Sequence, residues 1–210
     1  MAELGVPEGM LRRVPRQARS RERLAHVLRV ADRMIAEHGV GELSMIRLAM
    51  AAGVSVGSLY QYLPDKEAVL EALAVAYLER IEGVLEELIE SAGQQHWEDP
   101  AGTLVETFAE IYRREPGFRA LWFGRQWTEA TQAADRAHKQ RMAEGLRRLI
   151  LAQGLLPERD WLADACWSAH VMADALMQEA FRGDSEGDPG VLRELTAAVR
   201  GYLGELGRRG

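Results

Sequence analysis

Ala51–Glu67 reads AAGVSVGSLYQYLPDKE, and its punctuation decides the fold. Gly53 breaks an apolar run, and Ser55 follows where a serine side chain caps a new helix. That helix is very short, running through about Tyr62. Upstream, Ser44 caps another helix, which carries Met45, Ile46, Leu48, Ala49 and Ala52. Two helices joined this tightly must cross closely. The first needs a small residue at the contact, the turn needs a residue tolerant of positive φ, and the second needs an apolar side chain pointing back. Ala49, Gly53 and Leu59 meet these needs. A small helical corner with no DNA role has the same spacing, so the spacing alone does not choose.

Before this stretch, Leu24, Val27, Leu28, Ala31, Met34 and Ile35 repeat along one face of a 3.6-period helix. The pattern predicts a helix from about Ser20 to His38, ended by Gly39. Residues 1–19 have Gly5, Pro7, Gly9 and Pro15 and no periodicity, which predicts a flexible arm. Its end is basic: Arg12, Arg13, Arg16, Arg19, Arg21 and Arg23 stand against Glu22 alone. From Met10 to Lys66, ten Lys/Arg face five Asp/Glu, a net charge of +5; from Glu67 onward the net is −9. A basic head on an acidic body fits a nucleic-acid partner for the head, although a patch of this size also arises by chance.

After it, the spacing predicts a long helix from Asp65 to about Ile89, with Leu73, Tyr77, Ile81 and Leu85 on its apolar face. Ser91–Trp97 reads as a loop. Asp99-Pro100 opens a helix that Pro116-Gly117 ends, and a short helix is expected over Phe118–Phe123. A polar-rich helix from about Gln126 to Ala152 follows, stopped by Gly154. An alanine-rich helix over Pro157–Phe181 and a last one from Asp188-Pro189 to Gly207 complete the chain. No strand pattern appears, so the fold class is all-α.

The residues around the Ala49-Gly53-Leu59 spacing narrow the choice. Glu37-His38-Gly39, Ser44, Leu48-Ala49, Ala52-Gly53-Val54-Ser55, Gly57-Ser58-Leu59-Tyr60, Tyr62-Leu63 and Lys66-Glu67 before Leu70 together resemble the tetracycline-repressor-like (TetR) family of bacterial regulators. The resemblance covers roughly Arg19–Ala74. Two positions depart: Leu63 stands where the family has Phe, and Asp65 where it has Ser or Asn. Leu63 can still fill the apolar corner, and Asp65 can still cap the next helix.

The resemblance implies a three-helix helix-turn-helix domain (20–66), after the arm (1–19), joined by the long helix to an effector-binding and dimerisation domain (67–210). It implies a homodimer on a palindromic double-stranded operator. In the head, Val56, Gly57, Ser58, Gln61 and Tyr62 are expected on the exposed side of the recognition helix. Gln61 can pair with adenine, Val56 can touch a thymine methyl, and Gly57 lets the helix come close to the groove. Ser44, Tyr60, Tyr62 and Lys66 resemble the family's phosphate contacts, joined by Arg16 and Arg19 of the arm. Tyr60 stays open between phosphate contact and packing. The helix starts at Ser44 and Ser55 can add backbone donors.

In the body, Phe108, Tyr112, Trp122, Trp127, Trp167 and His170 are the candidate lining of an effector cavity, for an effector of hydrophobic or aromatic character. Aromatics at helical spacing are also what plain core looks like. His170 and Asp174 stand one turn apart and can bond a polar group. Cys166 is the only cysteine, so no internal disulfide forms, and an inert buried thiol is expected. No phosphate loop, metal-ligand spacing or nucleophile elbow is present, so no cofactor, metal or catalytic role is expected. No stretch approaches the roughly 20 apolar residues of a membrane span. The expectation is a cytoplasmic, ligand-responsive repressor. A structural DNA-binding protein with the same head and no effector is the rival.

Overall fold

The computed structural model describes residues 18–124 and 128–209. Arg16 and Trp127 lie outside the described residues. The regular elements are helical throughout the described residues: α1 (Ala18–His38), α2 (Met45–Ala51), α3 (Val56–Tyr60), α4 (Lys66–Gln94), α5 (Pro100–Arg114), α6 (Pro116–Gly124), α7 (Glu129–Ala152), α8 (Leu162–Phe181) and α9 (Pro189–Arg209). A single 3-10 turn at Val40–Glu42 joins α1 to α2. None of these helices is long and apolar enough to cross a membrane. The chain forms two compact units, one from the described residues up to Arg80 with Glu115–Ala134, the other from Ile81–Arg114 with Asp135 onward. The division therefore falls inside α4 and α7 rather than at residue 66.

In the first unit, α1 buries Leu24, Val27, Leu28, Ala31 and Ile35, the stripe that its periodicity predicts. Ser44 Oγ accepts the Arg47 N–H at 3.3 Å and starts α2. At its end Gly53 turns the chain with φ 64°, and the Val54 N–H donates back to the Ala49 carbonyl at 3.0 Å. A side chain at Gly53 would be strained in that conformation. Ala49 and Leu59 are both buried, so the crossing is the one the spacing requires. Leu63 is fully buried in its corner, and Asp65 Oδ1 accepts the Ala68 N–H at 2.8 Å as the cap of α4.

α6 packs along α1. Phe118 lies between Tyr77 and Trp122, with ring centroids 5.2 and 5.1 Å away. Tyr77 Oη donates to Asp32 Oδ1 at 2.5 Å, tying α4 to α1. A Cβ on Gly117 would stand 1.8 Å from that same oxygen, so only glycine lets α6 come this close. Arg80 and Glu115 close the edge with an ion pair at 2.7 Å.

The second unit buries Leu85, Trp97, Leu104, Met142 and Leu149 in one cluster and Ile150, Leu162, Cys166 and Leu206 in another. α8 and α9 pack along each other, and α5 packs on α9. Some helix ends depart from the sequence pattern. α4 continues to Gln94, into the expected Ser91–Trp97 loop, because Gln153 takes up the carbonyls that a helix end leaves open. Its Nε2 donates to Ala92 O and to Gln95 O, both at 2.7 Å, while its Oε1 accepts the Trp97 N–H at 2.8 Å. α8 begins at Leu162, not Pro157, after a loop in which Arg147 pairs with Glu158. α9 runs past Gly207 to Arg209, since that glycine keeps helical geometry.

The buried Gln153 bracket gives a stability prediction. Gln153→Leu keeps the volume and removes all three hydrogen bonds. It should cost about 2–4 kcal/mol, because two carbonyls and an amide lose their partners. Urea unfolding measures this as a lower midpoint with an unchanged slope.

Candidate nucleic-acid interface and effector site

α3 has five residues, too few to persist in water by itself. Its cap and its packing hold it. Ser55 Oγ accepts the Ser58 N–H at 3.1 Å, and Leu59 is anchored under α2. Gly57, Tyr60 and Gln61 are exposed, and Val56, Ser58 and Tyr62 are half-buried. Gln61 sits just past the helix as its C-cap, in helical geometry, so its side chain leaves the end of α3 rather than its middle. Tyr60 is 42 % exposed and is not a core residue. Ser44 is half-buried, and Arg19 on α1 is exposed.

Two features limit the phosphate donors. The caps already occupy one backbone N–H at each helix start, those of Arg47 and Ser58. Lys66 Nζ donates to the Gly41 carbonyl at 3.2 Å, which pins it over the 3-10 turn with donors to spare. Arg47 is turned toward Glu42 at 2.9 Å.

The expected cavity residues do not form one group. Trp122 belongs to the first unit, buried against Phe118. Trp167 is 40 % exposed and shares the outer face of α8 with Val171 and Met172, at 39 % and 46 %, so it does not line an interior. Phe108, Tyr112 and His170 are in the second unit. Phe108 packs against the Leu85–Leu149 cluster. Tyr112 stacks on Phe181 with ring centroids 4.8 Å apart.

A polar cluster that sequence spacing does not reveal gathers around His170. On α7, His138 Nδ1 lies 2.7 Å from Glu82 Oε1 of α4, and Arg141 Nε donates to Glu82 Oε2 at 2.7 Å. Lys139 Nζ bridges Asp135 at 3.0 Å and Asp174 of α8 at 3.3 Å. The His138 and His170 rings meet edge to face, 6.3 Å apart. The local signal is the Asp135/Lys139 pair at helical spacing; Glu82 stands 56 residues before His138 and is invisible to spacing.

Burial is the main cause that lowers the His170 pKa from 6.5 to about 4; Asp174 opposes it, and His138 and Lys139 add to it. The imidazole is thus neutral at pH 7. Its Nε2 is sealed from solvent and has no hydrogen-bond partner among the described residues. Burial, then Asp174 and Asp135, push the Tyr112 phenol well above its ordinary range, so it too is uncharged. Among the described residues no His/Cys/Asp/Glu group has the arrangement to hold a metal ion.

A capped recognition helix on a basic three-helix head, joined to a separate helical body, defines a helix-turn-helix DNA-binding regulator. The family model for bacterial regulatory proteins of the tetR family matches residues 27–73, and that for the tetracyclin repressor-like C-terminal domain matches residues 95–206, more than half the chain. The chain belongs to the tetR family and is a DNA-binding transcriptional repressor of that family. Over 91 % of its length it is 27 % identical to the HTH-type transcriptional regulator EthR of Mycolicibacterium smegmatis, of which the match covers 90 %. A TetR-family regulator from Streptomyces coelicolor superposes with a TM-score of 0.67 at 28 % identity, over 89 % of this chain and 98 % of that one. SmeT of Stenotrophomonas maltophilia, solved as a triclosan complex, has the same fold with a TM-score of 0.61 at 18 % identity, over 88 % and 91 %.

The low His170 pKa makes stability depend on pH. Between pH 6.5 and about 4 the unfolded chain takes up a proton that folded His170 does not. The contribution is therefore full above this window and lost as pH falls through it, with an upper size of about 3 kcal/mol. Urea midpoints at pH 7.5 and pH 5 should lie closer together in His170→Phe than in the wild type.

Proposed function

We propose that the protein binds a palindromic operator as a homodimer, and that a small molecule held in the second unit releases it. Val56, Ser58 and Gln61 read base edges, and Gly57 lets α3 come close to them. Ser44, Ser55, Tyr60, Tyr62, Lys66 and Arg19 of the described residues hold phosphates, and Arg16 of the arm joins them. A protein with this task works in the cytoplasm, where the DNA is.

One observation carries the dimer: the outer face of α8. Trp167, Val171 and Met172 leave a large apolar surface uncovered there. Alongside, Ala197, Gly201 and Gly204 are exposed on α9, and nothing lies within 4 Å of where side chains on the two glycines would start. Apolar surface beside small residues suits helices from a second copy, approaching as a four-helix bundle. This reading moves Trp167 from the effector to the interface. A dimer also suits the head, because one α3 spans only a few base pairs and two can read half-sites about one turn apart or somewhat more.

The effector is supported by the uncompensated His170 Nε2 in the second unit, which also holds Tyr112 and Phe108, and by the triclosan bound in SmeT. Glu82 gives the route. It belongs to α4, the helix that starts at Lys66 beside α3, and it is held through His138, which faces His170. A ligand at His170 would bias His138, Glu82 and α4, shifting the population between two spacings of the paired heads.

Val171→Arg should turn the dimer into a monomer by light scattering and lower operator affinity by at least about a hundredfold, since both heads must bind together. A dimer with wild-type affinity would refute the interface. Gln61→Ala should lose preference at particular base pairs by about 1–3 kcal/mol. Equal weakening on every sequence would remove Gln61 from base reading. Arg19→Ala should lower the salt slope of binding by about one.

A further inference from the structure

The charge balance around His170 bears on which effectors the second unit can accept, and it matters only if an effector binds there, as proposed for the function. Three helices meet here. α5 supplies Tyr112, α7 supplies Asp135, His138 and Lys139, and α8 supplies His170 and Asp174. Lys139 is shared between two carboxylates, at 3.0 and 3.3 Å. Asp174 is further fixed by Gln178 Nε2, which donates to its Oδ1 at 2.9 Å. His138 and Arg141 both face Glu82. Each nearby cation is thus committed to an acid, and Asp135 and Asp174 together outnumber Lys139 by one charge. Among the described residues, no uncommitted cation remains in this cluster to receive an anion.

What the cluster does offer is a neutral hydrogen-bonding atom. His170 Nε2 is sealed and unpartnered, and the Tyr112 phenol feels the same two carboxylates, Asp174 and Asp135. An orphaned buried nitrogen is costly, and a ligand group that bonds to it recovers that cost. Tyr112, within reach of both carboxylates, stacks on Phe181 and so brings apolar surface to the cluster.

We infer that the effector is a lipophilic non-acid, whose hydroxyl, amide or amine hydrogen-bonds to His170 Nε2, and that the Asp135–Lys139–Asp174 cluster excludes carboxylates. Desolvating an anion beside an excess negative charge, with no free cation to meet it, is strongly unfavourable. An amine benefits from the same excess.

Three probes with one apolar body test this on the full-length protein: 4-butylphenol, 4-butylbenzylamine and 4-butylbenzoate. Thermal shift and calorimetry should show binding of the phenol and the amine, with the benzoate at least about tenfold weaker, the worth of roughly one hydrogen bond. His170→Phe should lose about tenfold for the phenol, and His170→Gln should restore part of it. Asp174→Asn, which removes one negative charge from the cluster, should narrow the gap between benzoate and phenol. Benzoate binding as tightly as phenol, unchanged phenol binding in His170→Phe, or no binding of any probe at its solubility limit would each overturn the inference. If the benzoate binds and displaces DNA, the effector role survives and the exclusion of acids falls. If the phenol binds and DNA affinity does not change, the preference for non-acids survives and the effector role falls.

Discussion

A phenol and a carboxylate fix the base of the head. Tyr77 Oη donates to Asp32 Oδ1, and both groups are largely removed from water. Burial raises the Asp32 pKa, which Tyr77, Arg33 and Arg80 only partly offset. Such a bond is valuable only while complete, since either group without its partner carries the full desolvation penalty. α1 and α4 are therefore held at one separation. Gly117 brings the α6 backbone onto the same oxygen, so the three helices share one point of contact. α2 and α3 then build on α1, and the direction of α3 follows from this joint.

The head was almost wholly legible from sequence because its determinants are local. Ser44, Ser55 and Asp65 act on amides three residues away, and Gly53 acts on its own turn. The place of α6 was not legible. Pro116-Gly117 reads as the end of α5, whereas Pro116 opens α6, and nothing local says that Gly117 meets Asp32 85 positions earlier in the chain. The body was harder for the same reason. Trp167 reads as a cavity residue by type, yet its direction around α8 depends on which face α9 covers. His170 was found by its proximity to Asp174, whereas Asp174 turns out to be occupied by Lys139 and Gln178. The long reach of Gln153 to residues 92, 95 and 97 explains why α4 outruns its periodic pattern.

α7 looks polar for a helix in a folded body, and its partners explain why. His138 and Arg141 hold Glu82, Arg148 holds Glu86, and Lys139 holds Asp174. The helix fastens α4 on one side and α8 on another by charge, with Met142, Leu149 and Ile150 as its apolar stripe. Paired charges of this kind add little stability where exposed and resist the loss of one partner where buried. Each such hydrogen-bonded pair fixes a direction as well as a distance, which a purely apolar seam does not.

The brevity of α3 has a consequence for how such a regulator changes its target over time. Of five residues, Leu59 is committed to the core. Few side chains are left to vary without loosening the helix: Val56, Gly57, Ser58 and Tyr60, with Gln61 beyond the end. New DNA sequences are therefore reached by small steps at a handful of positions.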